Sequence, residues 1–252
     1  MKFRPIVLSI SGYDPSGGAG LLADIKTLEQ NKVYGLGVAT AFTIQNESEF
    51  ESVEWISKDK ILKQIEIVLR KSKVDYVKIG LIENAQTLKS IISYLKDFNP
   101  KVSIIWDPVL KASAGFDFHS QENLQKWQDC VSDLFLITPN WEEIKWLSGK
   151  SDSQEGAKYL SEKCHVYLKG GHNPEKPGHD YIFPLANTIK PFNLKPRSKE
   201  VFQKHGSGCV FASAITAYLS KGLTLNRSSL FAKEYITRFL LSNPTLLGYH
   251  KF

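Results

Sequence analysis

The chain has 252 residues, 42% of them hydrophobic and 23% charged, with a formal net charge of +6; that is enough for one large α/β domain with a substantial core, expected to span 1–252. Lys and Arg are scattered among Asp and Glu, as in Lys58-Asp59-Lys60 and Lys199-Glu200, which argues against nucleic-acid binding and leaves the basic surface to gather anionic substrates or simply aid solubility. No run approaches the roughly 18 apolar residues of a membrane helix.

The apolar run Ile6–Ile10 behind Lys2 and Arg4 is too short for a secretion signal. The three cysteines, Cys130, Cys164 and Cys209, show no Cys-x-x-Cys spacing and cannot all pair within one chain, as expected for a cytoplasmic protein without structural zinc.

Short apolar runs alternate with amphipathic segments. Pro5–Ser11 reads as a buried strand, followed by a glycine turn and a helix over Ala19–Gln30. Next come strand Gly37–Thr43, helix Lys58–Arg70, strand Asp75–Ile79, helix Ala85–Lys96, strand Val102–Trp106, helix Gln121–Val131 and strand Leu134–Ile137. Helices Glu142–Leu147 and Gln154–Glu162 precede strand His165–Leu168. Tyr181–Phe183 and a run around Ile189–Phe192 predict an edge hairpin, and Ser207–Ser220 and Leu225–Ser242 two closing helices. Alternating strands and helices imply right-handed crossovers and a mostly parallel sheet covered on both faces, with no second domain and no internal repeat.

Ligands of such sheets bind at the carboxyl ends of the strands, so the residues after each strand are candidates. Ser11-Gly12-Tyr13-Asp14-Pro15-Ser16-Gly17-Gly18-Ala19-Gly20 lets backbone approach a ligand just before a helix, but it lacks the Gly-Lys-Ser/Thr ending of a P-loop. Asp24, one helical turn on, either points back toward the pocket or is a solvated helix carboxylate. Gln45 ends the second strand and either offers its amide to a heterocycle edge or caps a loop. Asp107-Pro108-Val109 and Thr138-Pro139-Asn140-Trp141-Glu142-Glu143 place polar groups beside prolines. Asn140 and Glu143 share a face three residues apart. Glu143 suits a hydrated Mg²⁺, Asn140 suits an N-cap, and both readings are compatible. Lys169 leaves a buried strand into Gly170-Gly171 and either meets phosphate or adenine or stays solvated. In His205-Gly206-Ser207-Gly208-Cys209 the glycines open an apolar helix, so backbone N–H groups converge on an anion site. Its field is expected to lower the Cys209 thiol pKa, unless Cys209 is a small core residue.

In this order the stretches resemble the ribokinase superfamily and, more narrowly, the hydroxymethylpyrimidine/phosphomethylpyrimidine kinases of thiamine biosynthesis. The match runs from about Ile6 to Gly222, and its motifs include Asp14–Gly20, Gln45-Asn46, Lys78-Ile79-Gly80, Asp107-Pro108-Val109, Lys169-Gly170-Gly171-His172 and Gly206-Ser207-Gly208-Cys209. The resemblance implies a ribokinase-like three-layer sandwich, ATP and Mg²⁺ as cofactors, a small pyrimidine as substrate, and a homodimer. It implies that Gln45 bonds the aminopyrimidine with Gly12, Ala19, Asp24, Leu81 and Val109 around it. Gly206, Ser207, Gly208 and Cys209 would cradle the transferring phosphoryl, with Cys209 as candidate base. Asn140 and Lys169 would meet the nucleotide, and Glu143 and Asp107 the metal. Related kinases of pyridoxine or pyridoxal, and a silent ligand-binding protein on the same scaffold, are the alternatives. The chain departs from the family pattern at Tyr13, Leu81, Lys145, Pro184 and Lys204, and no Asp-Gly follows Phe183.

Overall fold

Strand β1, Ile6–Tyr13, is buried along almost its whole length, because it lies inside the sheet with helices on both faces. A computed structural model describes residues 4–110, 118, 124–187 and 190–250. The helices are α1 (Gly20–Gln30), α2 (Lys58–Leu69), α3 (Ala85–Phe98), α4 (Leu124–Val131), α5 (Trp141–Ser148), α6 (Ser153–Ser161), α7 (Ser207–Ser220) and α8 (Leu225–Leu240). The other strands are β2 (Tyr34–Gln45), β3 (Phe50–Trp55), β4 (Tyr76–Ile79), β5 (Ser103–Trp106), β6 (Leu136–Ile137), β7 (His165–Leu168), β8 (Asp180–Phe183) and β9 (Phe192–Leu194).

All nine strands form one sheet in the order β3-β2-β1-β4-β5-β6-β7-β8-β9. Pairing from β2 through β7 is parallel, while β3, β8 and β9 add antiparallel edges. The ribokinase-like three-layer architecture follows from strand alternation. In β5, Ile104 and Trp106 point into one core layer and Ile105 into the other. The first layer packs against α2 to α6, the second against α1, α7 and α8. Helix α3 shows why: Leu88, Ile91, Ile92 and Leu95 fall on one face and are buried, and the Asn84 side chain accepts from Thr87 N–H to cap its start.

Strand β3 has no counterpart in the sequence reading. Glu51, Ser52 and Glu54 break up its apolar signal, and its pairing with β2 supplies the order that its own pattern does not. The edge hairpin forms with β9 beginning at Phe192; Ile189 lies outside the described residues, as do residues 121–123 of the helix expected from Gln121. Among the described residues no helix is long and apolar enough to cross a membrane.

Beneath the strand ends, the α1/α7 layer holds a polar plug. Asp24 is fully buried, accepting from Lys78 Nζ (2.8 Å), Ser9 Oγ (2.6 Å) and Ser213 Oγ (2.8 Å). Asp24 is therefore neither a pocket wall nor a solvated carboxylate. It is the counterion of Lys78, which is itself fully buried on β4. Removing one partner of such a pair leaves an uncompensated charge, so Asp24→Asn is expected to destabilise the fold by about 3–5 kcal/mol. Combining it with Lys78→Met should recover much of that loss. Urea midpoints of the two variants check this, and a wild-type midpoint for Asp24→Asn would show that the carboxylate is not the counterion.

Candidate active site at the strand ends

The loop between β1 and α1 is built around one carboxylate. Asp14, 1% exposed, accepts from Ser16 N–H, Ser16 Oγ and Ala19 N–H at 2.8–2.9 Å. Its Oδ2 also stands 2.9 Å from Nε2 of His205, a residue 191 positions later in the chain. These bonds hold the Asp14 carboxyl below the usual carboxylate range even though burial opposes ionisation. The loop and the start of α7 then touch backbone to backbone. Gly206 takes φ +69° at the N-cap of α7, and a Cβ there would overlap the Gly18 carbonyl and Ala19. Gly20, φ +58°, packs as closely on the Gly12 carbonyl.

The first turn of α7 faces a cluster of charges. A Cβ on Gly208 would lie 3.3 Å from Lys169 Nζ and 3.6 Å from Asp107 Oδ2. Lys169 follows β7 and bridges Asp107 Oδ1 (2.7 Å) and Glu143 Oε2 (3.6 Å). Thr138 Oγ1 donates to the same Asp107 oxygen at 3.0 Å. Lys169 and Thr138 hold the Asp107 carboxyl below its ordinary range against the cost of burial. Burial raises Glu143 to about 7, with Asp107 adding to the rise and Lys169 opposing it.

The N-cap reading of Asn140 is met here. Asn140 Oδ1 accepts from Glu142 and Glu143 N–H at 2.9 Å, and Glu143 Oε2 accepts from Asn140 N–H at 2.6 Å, a complete capping box for α5. The same Glu143 oxygen reaches Lys169, so the cap also aims a carboxylate at the charge cluster.

A second group of residues lies on the β1–β2 side. Thr43 Oγ1 donates to the Tyr13 carbonyl (2.9 Å) and accepts from Gln45 Nε2 (2.8 Å). That chain fixes the orientation of the Gln45 amide. Gly12 adjoins: a Cβ there would meet Leu81 Cδ2 at 3.0 Å. Thr40 Oγ1 holds the Leu81 carbonyl at 2.6 Å. Ala19 and Val109 are half-buried.

Cys209 departs from expectation. Burial pushes its thiol up to about 11, Asp24 and Asp107 add to the rise, and Lys78 and the Gly20 N–H offset only part of it. The helix N-terminus lies close, but desolvation of a side chain 9% exposed outweighs it, so Cys209 is a thiol at neutral pH.

Three residues that sequence reasoning left without a role now have one. Asp14 and Thr43 orient the loop and Gln45. Asp180 accepts from Gly170 N–H (2.7 Å) and from Tyr167 Oη while pairing with Lys233 Nζ (2.7 Å), which fixes the backbone that carries Lys169. Asp14 stood in the glycine motif, but its partner His205 is visible only in the fold.

The departures from the family pattern scatter. Tyr13 packs edge-on against Phe42, Lys145 pairs with Glu142 on the surface, and Lys204 is buried beside His205.

Comparison with known proteins agrees with this fold. Residues 14–251 match the family model described as Phosphomethylpyrimidine kinase. The hydroxymethylpyrimidine/phosphomethylpyrimidine kinase of Staphylococcus aureus (strain MRSA252) is 31% identical over 253 aligned residues, covering 96% of this chain and 90% of that protein. The crystal structure of phosphomethylpyrimidine kinase from Clostridium difficile 630 superposes with a TM-score of 0.77 at 30% identity, over 93% of this chain and 99% of that one. An ADP complex of Bacillus subtilis pyridoxal kinase superposes with a TM-score of 0.81 at 26% identity, over 94% and 92%. The chain belongs to the phosphomethylpyrimidine kinase family.

Proposed function

We propose that the chain transfers the terminal phosphoryl group of ATP to the hydroxymethyl oxygen of 4-amino-5-hydroxymethyl-2-methylpyrimidine, and then phosphorylates the resulting monophosphate, in thiamine biosynthesis. The observation that carries this reading is the juxtaposition at α7. Gly208, in the first turn of α7, adjoins Lys169 and Asp107, with Glu143 paired to the same lysine, and Gly206 abuts the loop after β1, which Thr43 links through the Tyr13 carbonyl to Gln45.

A phosphoryl group in flight carries its charge on three equatorial oxygens and needs placement and charge compensation more than a strong base. The α7 N-terminus supplies aligned N–H donors, and Lys169 supplies a cation already held at the cluster. Asp107 and Glu143 converge on that one cation, a donor set that also suits Mg²⁺, which takes one or two carboxylates together with phosphate and water oxygens. When bound there, Mg²⁺ would neutralise charge on the phosphates. Gln45 Oε1 accepts from the ring amino group, and Gly12, Ala19, Leu81 and Val109 border the ring. Asn140 and Lys169 lie on the nucleotide side.

Pyridoxal kinases share the fold closely, so pyridoxal is the competing acceptor. In a coupled ADP-release assay the pyrimidine should give the higher kcat/KM. A preference for pyridoxal would overturn the pyrimidine reading, and no ADP release with either acceptor would leave a ligand-binding protein.

The thiolate form of Cys209 accepts the hydroxyl proton late in transfer, becoming the thiol. With the thiol near 11, its ionised fraction at pH 7 is on the order of 10⁻⁴. The single-turnover rate should therefore rise about tenfold per pH unit between pH 7 and 9. Cys209→Ala should abolish that rise and lower the rate about 10²–10⁴-fold. A flat wild-type profile would remove Cys209 from proton transfer and leave the N–H cradle to act alone.

A further inference from the structure

The segment after α8 does not trail into solvent. It returns to the start of α7, where Lys204 Nζ donates to the carbonyls of Asn243 and Thr245. Lys204 is only 4% exposed, and its ammonium also lies 5.3 Å from the centre of the Phe202 ring. His205 N–H donates to the Leu246 carbonyl at 3.0 Å. A Cβ on Gly18 would meet Leu247 Cδ2 at 2.8 Å and His205 Cδ2 at 2.7 Å, so the tail, the histidine and the glycine loop are in direct contact.

The segment is braced internally as well. Asn243 Oδ1 accepts from Thr245 N–H (2.9 Å), and Asn243 Nδ2 donates to the Leu247 carbonyl (2.9 Å). Tyr235 Oη and His250 Nδ1, 2.8 Å apart, pin its far end to α8.

We propose that Lys204 and the segment Asn243–Leu247 are positioning elements for the phosphoryl cradle: they seat His205 against Asp14 and so fix the gap between the glycine loop and the N-terminus of α7. The chain of contacts is continuous. The tail carbonyls hold Lys204 and His205, His205 holds Asp14, Asp14 holds Ser16 and Ala19, and Ala19 abuts Gly206. A buried ammonium satisfied by main-chain carbonyls is a specific way to dock a segment, because leaving it unpaired costs more than leaving a neutral group unpaired. None of these tail atoms need touch a substrate. Their effect is on the spacing of groups that do, and displacing such groups by about 1 Å can cost about 10²-fold in rate.

The proposal rests on the kinase reading for its rate effect, so its test includes a readout that needs no substrate. Lys204→Met keeps much of the side-chain bulk and removes both hydrogen bonds. In the full-length variant, iodoacetamide labelling followed by peptide mass mapping should show Cys209, which follows the cradle glycines, alkylated about tenfold faster, with Cys130 and Cys164 unchanged. Turnover should fall about 10- to 100-fold while the pyrimidine KM stays close to wild type.

Wild-type labelling and turnover in folded Lys204→Met would overturn the proposal. An equal rise at all three thiols would also overturn it, because that is general loosening. Should Lys204→Met not fold, Leu247→Ala, which trims the side chain that meets Gly18, must show the same selective exposure of Cys209 and loss of turnover; wild-type behaviour there overturns the proposal too. If the wild-type enzyme phosphorylates no pyrimidine, the functional reading fails, and the labelling ratio still decides the role of the tail.

Discussion

The contact between Asp14 and His205 is the constraint on which the site depends. It joins a loop near the beginning of the chain to the entry of a helix near its end. Around it the backbone has no room to spare. Gly206 is packed on Gly18 and Ala19, and Gly20 on the Gly12 carbonyl, so a side chain at Gly206 or Gly20 would push the two segments apart. The Asp14 carboxylate, by accepting from two N–H groups of its own loop, turns that loop into a rigid wall. The proposed phosphoryl cradle is made of main-chain donors, which have no rotamers of their own. Its geometry is therefore only as good as the contact that sets the gap.

Two buried ion pairs show how position in the layers divides structural from chemical roles. Asp24–Lys78 lies beneath the strand ends with no exposure, its acid satisfied on three sides by Lys78, Ser9 and Ser213. Asp107–Lys169 sits at the strand ends, where Lys169 keeps 16% of its side chain exposed and Glu143 12%. The first pair is sealed and ties β4 to α1 and α7. The second keeps partial exposure at Lys169 and Glu143, which the proposed phosphoryl transfer requires. The same burial that serves the first pair acts on Cys209 just above it, and this is why the thiol pKa rises instead of following the helix field.

Much of this was legible in the sequence, and the failures have physical causes. The order of elements from β1 to α8 follows from apolar periodicity, because a parallel sheet buried on both faces produces short, nearly pure apolar runs such as Ser103–Trp106. The glycine motifs marked where backbone packs on backbone, Gly206 on Gly18 and Gly20 on Gly12. Strand β3 was missed because an edge strand needs little apolar character of its own. Asp24 was misplaced because a helix carboxylate facing inward looks the same in sequence as one facing water; the deciding partner, Lys78, lies 54 residues away. Cys209 was misjudged in the same way, since its neighbours in sequence predict the helix field but not the depth of burial. The roles of His205 and Lys204 depend on contacts with Asp14 and with the tail, and no local pattern announces them.

We place phosphoryl transfer in the space between the first turn of α7 and the Lys169–Asp107 pair. Gly208 borders that space. It has no positive φ, so alanine fits its backbone and should favour the helix by about 0.5–1 kcal/mol. Its Cβ would nevertheless stand 3.3 Å from Lys169 Nζ, in the volume assigned to the phosphoryl group. The most direct measurement is therefore turnover of Gly208→Ala alongside its melting temperature and its calorimetric affinity for the pyrimidine. Transfer at that place requires an equal or higher melting temperature, an unchanged pyrimidine affinity, and turnover lowered by about 10²-fold or more. Wild-type turnover in this variant would contradict it.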